Sequence, residues 1–180
     1  ISIDANCSLD VQHAIEVGRH ARELGVVLFE EPITHNDIRQ LCNVRERTGI
    51  ALAGGQNEGL ASRFADFLSA GALDVLQPNV AITGGYTQCL RIAGMAQAFN
   101  VAIGNGGAWP FHNMHLHAGL AHGGLVEYHH VAVLMCQQLF KGLPEPQDGR
   151  LPLPEQPGLG FQPDWDAIAS IARGPRAETG

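Results

Sequence analysis

The sequence predicts an α/β chain, a partial (β/α)8 TIM barrel, and three observations predict it. Short apolar runs alternate with helical patterns along the chain. Each run ends in a polar residue at a near-constant interval: Asp4, Glu30 and Gln56 stand 26 residues apart, and Asn79, Asn105 and Glu127 continue the series at steps of 22–26. No GxGxxG phosphate loop follows the first run, where an open doubly wound sheet usually carries one. A unit of that length holds one strand, one helix and two loops. Right-handed crossovers between successive parallel strands place all their C-terminal ends on one face, and in a closed barrel those ends converge on a single site.

The elements follow in order. "ISIDA" precedes a helix over Leu9–Leu24, with Ser8 or Asp10 as its cap. "VVLFE" precedes a helix over Ile38–Thr48, and "IALAG" one over Leu60–Ala70 that Gly71 closes. "LDVLQP" leads through a Gly84–Gly85 turn to a helix over Gly85–Phe99. "VAIGN" precedes a helix over Pro110–Ala121, and "GLVEYH" is the sixth strand. Eight units take about 250 residues, so these six are assigned as strands three to eight. The chain opens at Ile1 inside a strand-like run and reads as a fragment, a C-terminal barrel domain over 1–180. Its tail, 141–180, is expected to pack back on the barrel, with the Pro-rich run Gly142–Phe161 as an extended segment across it.

Bulk composition excludes several classes of function. Of 180 residues, 45% are hydrophobic and 16% charged, a globular profile. No apolar run reaches the ~20 residues of a membrane span, and no signal-peptide pattern opens the chain. Net charge is −7 without a basic cluster, which argues against nucleic acid and anionic membrane as partners. Cys7, Cys42, Cys89 and Cys136 lack CxxC spacing and read as reduced thiols of a cytoplasmic protein.

"LFEEP", at Leu28–Pro32, places two carboxylates where a buried strand leaves the core. Two charges there are costly unless something positive stands between them. Asp4, Glu30 and Gln56 offer three oxygen ligands from adjacent strands, a donor set suited to a hard cation such as Mg2+; the alternative is helix caps and loop charges. His112, His115 and His122 share a helix face in this reading, with His117 elsewhere. They are a second metal site, a replacement base, or packing and surface residues. The glycines of "GNGGAWP" permit close backbone approach to a ligand, with Trp109 as a pocket wall or a core residue.

"DAN" at Asp4–Asn6, "FEEP" at Phe29–Pro32, "GGQNE" at Gly54–Glu58, "DVLQPNVAITGG" at Asp74–Gly85 and "PGLGF" at Pro157–Phe161 resemble, in order, the motifs of the enolase superfamily. The branch is that of mandelate racemase and muconate lactonizing enzyme. The resemblance implies an enolase-like barrel preceded by a lid domain and two early strands, the second often carrying Lys-x-Lys; both are expected outside this chain. It implies Mg2+ on Asp4, Glu30 and Gln56, with Glu31 behind them. Gln56 stands where the family has Glu, so the site holds two formal negative charges rather than three, and Gln56→Glu is expected to tighten Mg2+ binding.

The implied chemistry is removal of a proton α to a carboxylate through a metal-stabilised enediolate. Asn79 stands at a position often acidic or lysine, and Gly106 where racemase-like members carry a base histidine. An amide does not titrate near neutrality, so Asn79 is no general base. Asn79 and His112 are the catalytic candidates in this chain, with the principal base expected outside it. Asn6, Asn57, Asn105, Trp109 and Glu127 are candidate substrate contacts. With no second base recognisable, a hydroxy-acid or sugar-acid dehydratase is preferred over a racemase or epimerase. A non-catalytic barrel remains the reading from another class, because Gln56, Asn79 and Gly106 all replace ionisable groups. The expected partners are a small-molecule carboxylate and further copies of the chain in a homo-oligomer.

Overall fold

The computed structural model describes residues 1–172. Five short parallel strands form one sheet in the order β1-β2-β3-β4-β5. They are β1 (Ser2–Asp4), β2 (Leu28–Glu30), β3 (Ala51–Gly54), β4 (Val75–Leu76) and β5 (Ala102–Ile103). Helices α1 (Val11–Glu23), α2 (Ile38–Thr48), α3 (Ala61–Ala70), α4 (Gly85–Ala98) and α5 (Pro110–Ala118) follow them in turn. Each strand pairs with its sequence neighbour, and each helix packs on the next. This is the single winding of a barrel wall. A doubly wound sheet would reverse its strand order at a switch point.

Local chemistry fixes the helix ends. Asp10 caps α1 by accepting from His13 N at 2.9 Å, and Asp37 caps α2 by accepting from Gln40 N. Gly49 and Gly71 end α2 and α3 in the left-handed conformation, both at φ 63. The core lies between the sheet and the helices. Ile15, Leu41, Val44, Phe64, Phe67 and Ile92 reach it from the helices, and Phe29, Leu52 and Leu76 from the strands. Asp74 joins two units: it accepts from Arg45 Nε at 2.9 Å and from Leu52 N at 3.0 Å.

Two sequence expectations are corrected and one helix is added. "GLVEYH" forms no regular strand. It runs beside β5 with one backbone hydrogen bond, Asn105 N to Leu125 O at 3.2 Å, and any side chain on Gly124 would meet the Ile103 carbonyl. Helix α5 stops at Ala118, so His122 lies beyond it and shares no helix face with His112 and His115. A sixth helix, α6 (His130–Leu139), follows the extended segment and was not anticipated.

Beyond α6, β6 (Phe140–Lys141) pairs antiparallel with β7 (Gln162–Pro163), and α7 (Trp165–Ile171) packs on α6. Phe161 closes a second cluster with Phe111, Met114, Val133 and Cys136. The last eight residues of the expected tail segment lie outside the described residues.

Phe64 is fully buried and packs edge-on against Phe67. Phe64→Ala is expected to cost about 3–5 kcal/mol, seen as a lower denaturation midpoint. A loss below about 1 kcal/mol would show that α3 is not anchored through this ring.

Candidate functional site

Because the sheet is parallel and sequential, the C-terminal ends of β1 to β5 share one edge. Asp4 and Glu30 are register partners there, so their side chains leave the sheet on the same face. Asp4 Oδ1 accepts from Asn6 N at 2.7 Å. The chain then turns sharply through left-handed residues: Asn6 and Cys7 after β1, Glu31 after β2, Gly55 after β3. The turn at Glu31, φ 38, sends adjacent carboxylates in different directions.

Glu31 points inward and is fully buried. Its oxygens accept from Asn36 Nδ2 (2.9 Å), Gly55 N (3.4 Å), Gln56 Nε2 (2.8 Å), Asn57 Nδ2 (3.4 Å) and the Cys7 thiol (3.3 Å). No cation bonds it among the described residues. Burial, and then the Glu31 charge, push the Cys7 thiol up to about 12, so Cys7 stays a donor.

Glu30 points to the mouth. Its Oε1 and Gln56 Oε1 converge: a methyl group on Gly106 would lie 2.8 Å from the first, 2.9 Å from the second and 2.7 Å from Gln77 Nε2. Burial raises the Glu30 pKa to about 7; the Gln77 amide opposes that, while Asp4, Glu127 and Glu31 add repulsion. Among the described residues no Lys or Arg pairs with any of these four carboxylates. No three His, Cys, Asp or Glu side chains among them are grouped to hold an ion, so a centre here must count the Gln56 amide as a donor. The same observation argues against the metal-site alternative for the histidines of α5.

The roof is the loop from Asn105 to Trp109. Asn79, fully buried, donates to the carbonyls of Gly106, Gly107 and Ala108 at 2.9–3.2 Å, and its Oδ1 accepts from Ala81 N and Asn113 Nδ2. Asn105 donates to Gly106 O and Ala108 O, and accepts from Glu127 N. Asn113 adds bonds to Ala108 O and Trp109 O. Glu127 Oε2 accepts from Ala108 N at 2.8 Å. Gly107, Ala108 and Trp109 are all left-handed, a conformation these bonds hold in place.

The structure thus brings Glu30 Oε1 and Gln56 Oε1 together, with Asp4 and Glu127 near enough to repel Glu30 and Glu31 behind. It places other expected contacts elsewhere. The amides of Asn79 and Asn105 are engaged within the protein, and Asn57 turns to Glu31. Trp109 caps α5 and stacks edge-on with His112 at 5.5 Å. His112 packs against Phe161 and Phe140 at 5.1 and 5.6 Å, its Nδ1 buried without a partner, and burial lowers its pKa. His115 reaches Leu159 O at 3.1 Å. Both face the tail hairpin because α5 turns that face to it.

Sequence reasoning missed Gln77, Asn113, Asn36 and Cys7. Gln77 had a signal: two residues before Asn79, it leaves β4 on the same edge. Cys7 and Asn113 gave none, since partners of theirs lie on other segments, and Asn36 reaches Glu31 across an irregular turn that no periodicity marks.

The geometry can now be compared with known proteins. The family described as enolase C-terminal domain-like matches residues 1–167. The chain belongs to that family. Arabinonate dehydratase of Saccharolobus solfataricus is 28% identical over 165 residues, covering 89% of this chain and 44% of that protein. A 3,6-anhydro-alpha-L-galactonate cycloisomerase of Streptomyces coelicolor is 27% identical over 97% of this chain and 47% of its own length. Among solved structures, L-talarate dehydratase of Polaromonas sp. JS666, complexed with Mg and L-glucarate, superposes with a TM-score of 0.83 at 26% identity. That match covers 93% of this chain and 46% of the other. The chain spans less than half the length of these relatives.

The raised Glu30 pKa gives a pH signature. Its folded value lies above the ordinary 4.5, so folding favours the protonated form. The metal-free protein should therefore lose stability as pH rises from about 4.5 to about 7 and stay at the lower level above. Glu30→Gln should flatten that slope in pH-resolved thermal melts. A slope of the opposite sign, or one unchanged by the substitution, would show that Glu30 is not buried at the mouth as described.

Asn79→Asp tests the roof. A carboxylate there would face three carbonyls, so the variant should melt below Asn79→Ala at neutral pH and recover as the pH is lowered.

Proposed function

We propose that the protein is a Mg2+-dependent dehydratase of hydroxy or sugar acids, acting by removal of the proton α to the carboxylate. The observation that carries the reading is the convergence of Glu30 Oε1 and Gln56 Oε1 beside Asp4, in a mouth whose carboxylates pair with no Lys or Arg among the described residues. Such a donor set fits Mg2+, which takes a few carboxylate and carbonyl oxygens and keeps open positions. Asp4, Glu30 and Gln56 would hold the ion, and a bound ion would supply a Lewis acid for the substrate carboxylate.

The chain's own residues do the rest that lies within it. Asn79, Asn105 and Asn113 hold the Gly106–Gly107 roof so that backbone, rather than a side chain, lines that side. Glu127 fixes the roof from below through Ala108 N. Cys7, with its thiol held near 12, takes no proton at neutral pH. The base belongs to the part of the protein not spanned by this chain, where the resemblance expects Lys-x-Lys.

Gly106 favours dehydration over racemisation. Racemisation needs a proton acceptor on each face of the α carbon. A side chain at Gly106 would collide with Gln77, Glu30 and Gln56 together. His112, the other candidate, is enclosed by Trp109, Phe140 and Phe161. Elimination of a β-hydroxyl needs only one base. Dehydratases stand among the relatives, alongside cycloisomerases.

The full-length protein, incubated with MgCl2 and a panel of aldonic and aldaric acids in D2O, should yield 2-keto-3-deoxy acids with deuterium at C3. Recovered substrate should keep its configuration. His112→Ala should leave the product pattern unchanged. Interconversion of α-epimers would replace the reading with a racemase, and the absence of turnover across the panel would favour a non-catalytic barrel.

A further inference from the structure

We infer that the roof loop is itself a binding element: the backbone N–H groups of Gly107 and Trp109 hold the carboxylate of a 2-hydroxy acid, and Gln77 Oε1 receives its hydroxyl. The inference rests on the reading above and names the groups of this chain that grip the substrate.

It starts from the way the peptides of the loop face. A planar trans peptide points its N–H opposite to its C=O. The carbonyls of Gly106, Gly107 and Ala108 all turn to one side, where Asn79 Nδ2 meets them at 2.9, 3.0 and 3.2 Å. The N–H groups of Gly107, Ala108 and Trp109 belong to those same three peptides, none of them cis, so they face the other side. Three consecutive left-handed residues, φ 72, 65 and 58, bring these donors together, and successive backbone N–H groups in a turn make a cradle for an anion.

The middle donor shows what that side takes. Ala108 N already holds a carboxylate, Glu127 Oε2 at 2.8 Å, and Glu127 is near enough to repel Glu30. The N–H side of the loop therefore looks into the mouth. The donors on either side, Gly107 N and Trp109 N, have no acceptor among the described residues. Gly107 also stands against Gln56: a methyl group on it would lie 3.4 Å from Gln56 Oε1. A carboxylate on these donors would thus lie beside the proposed cation site.

A second group is unmet at the same place. Gln77 is 4% exposed, and its Nε2 lies 2.7 Å from where a methyl group on Gly106 would stand. The other end of that amide, Oε1, is buried and accepts from no group among the described residues. Buried acceptors are seldom left without a donor. Two backbone donors and one amide oxygen on the same loop match a carboxylate with a hydroxyl on the next carbon.

Lactate is the probe, because it has the carboxylate and the 2-hydroxyl but no β-hydroxyl to eliminate. Titrated into full-length protein labelled with 15N-tryptophan, it should move the Trp109 backbone amide proton downfield and saturate, at lower concentration in MgCl2 than without it. Trp109→Phe assigns the signal. Replacing the peptide N–H of Gly107 or of Trp109 by an ester oxygen, through the matching α-hydroxy acid, should weaken lactate binding at least about tenfold in calorimetry. Wild type should bind lactate more tightly than propionate, and Gln77→Leu should erase that difference.

A Trp109 amide that does not move would overturn the cradle, as would ester proteins that bind lactate like wild type. A preference for lactate that survives Gln77→Leu, or alanine binding more tightly than lactate, would overturn the hydroxyl contact. The two readings fail separately. Turnover of an aldonic or aldaric acid with an unmoved Trp109 amide leaves the dehydratase without the cradle, and a moved amide without turnover leaves the cradle without the dehydratase.

Discussion

The buried carboxylate of Glu31 is the constraint on which the strand-end geometry depends. An ionised group taken out of water costs several kcal/mol unless it is met by partners, and here the partners are dipoles drawn from three strand exits. Cys7 comes from beyond β1, Asn36 from the turn after β2, and Gly55, Gln56 and Asn57 from beyond β3. A change in any of these loops leaves part of the carboxylate unmet. The first two loops already meet through backbone bonds, Cys7 N to Glu31 O and Thr34 N to Leu9 O, and the Glu31 side chain adds the third to them.

Meeting a charge with amides alone has an electrostatic result. A guanidinium in the same place would cancel the Glu31 charge; N–H dipoles solvate it but leave it in the field. Glu30 stands beside it, with Asp4 and Glu127 also near, and so sits in a negative potential that burial amplifies. The mouth is built to welcome positive charge while its own framework supplies none. The roof follows the same economy. Three asparagines hold a loop of left-handed residues by its carbonyls, so the backbone can come down onto the ligand side chains without adding charge or bulk.

Much of this site was legible in the sequence, for a physical reason. A strand–helix unit has a fixed length, so residues at equal intervals of 26 occupy equivalent places, and Asp4, Glu30 and Gln56 could be aligned by counting. Asp10, Asp37 and the terminal glycines of α2 and α3 act on backbone a few residues away, and such local chemistry also shows in sequence. Long-range partners do not show. Asn79 is bound to carbonyls about 28 residues on, and nothing in "QPN" reveals that its amide is engaged there rather than in chemistry. The direction of His112 is set by Phe140 and Phe161, which reach it only after the tail has folded back. "GLVEYH" has strand composition, but Gly124 and the preceding Gly123 bring it so close to β5 and α5 that pairing is replaced by packing.

The glycine at 106 also constrains how this protein could change. A side chain gained there first would meet Gln77, Glu30 and Gln56 at once. All three contacts are the far ends of side chains, so the newcomer would enter by pushing aside the two oxygens that converge there. A residue at 106 is therefore coupled to residues 30, 56 and 77, and a change at one rewrites the setting of the other three.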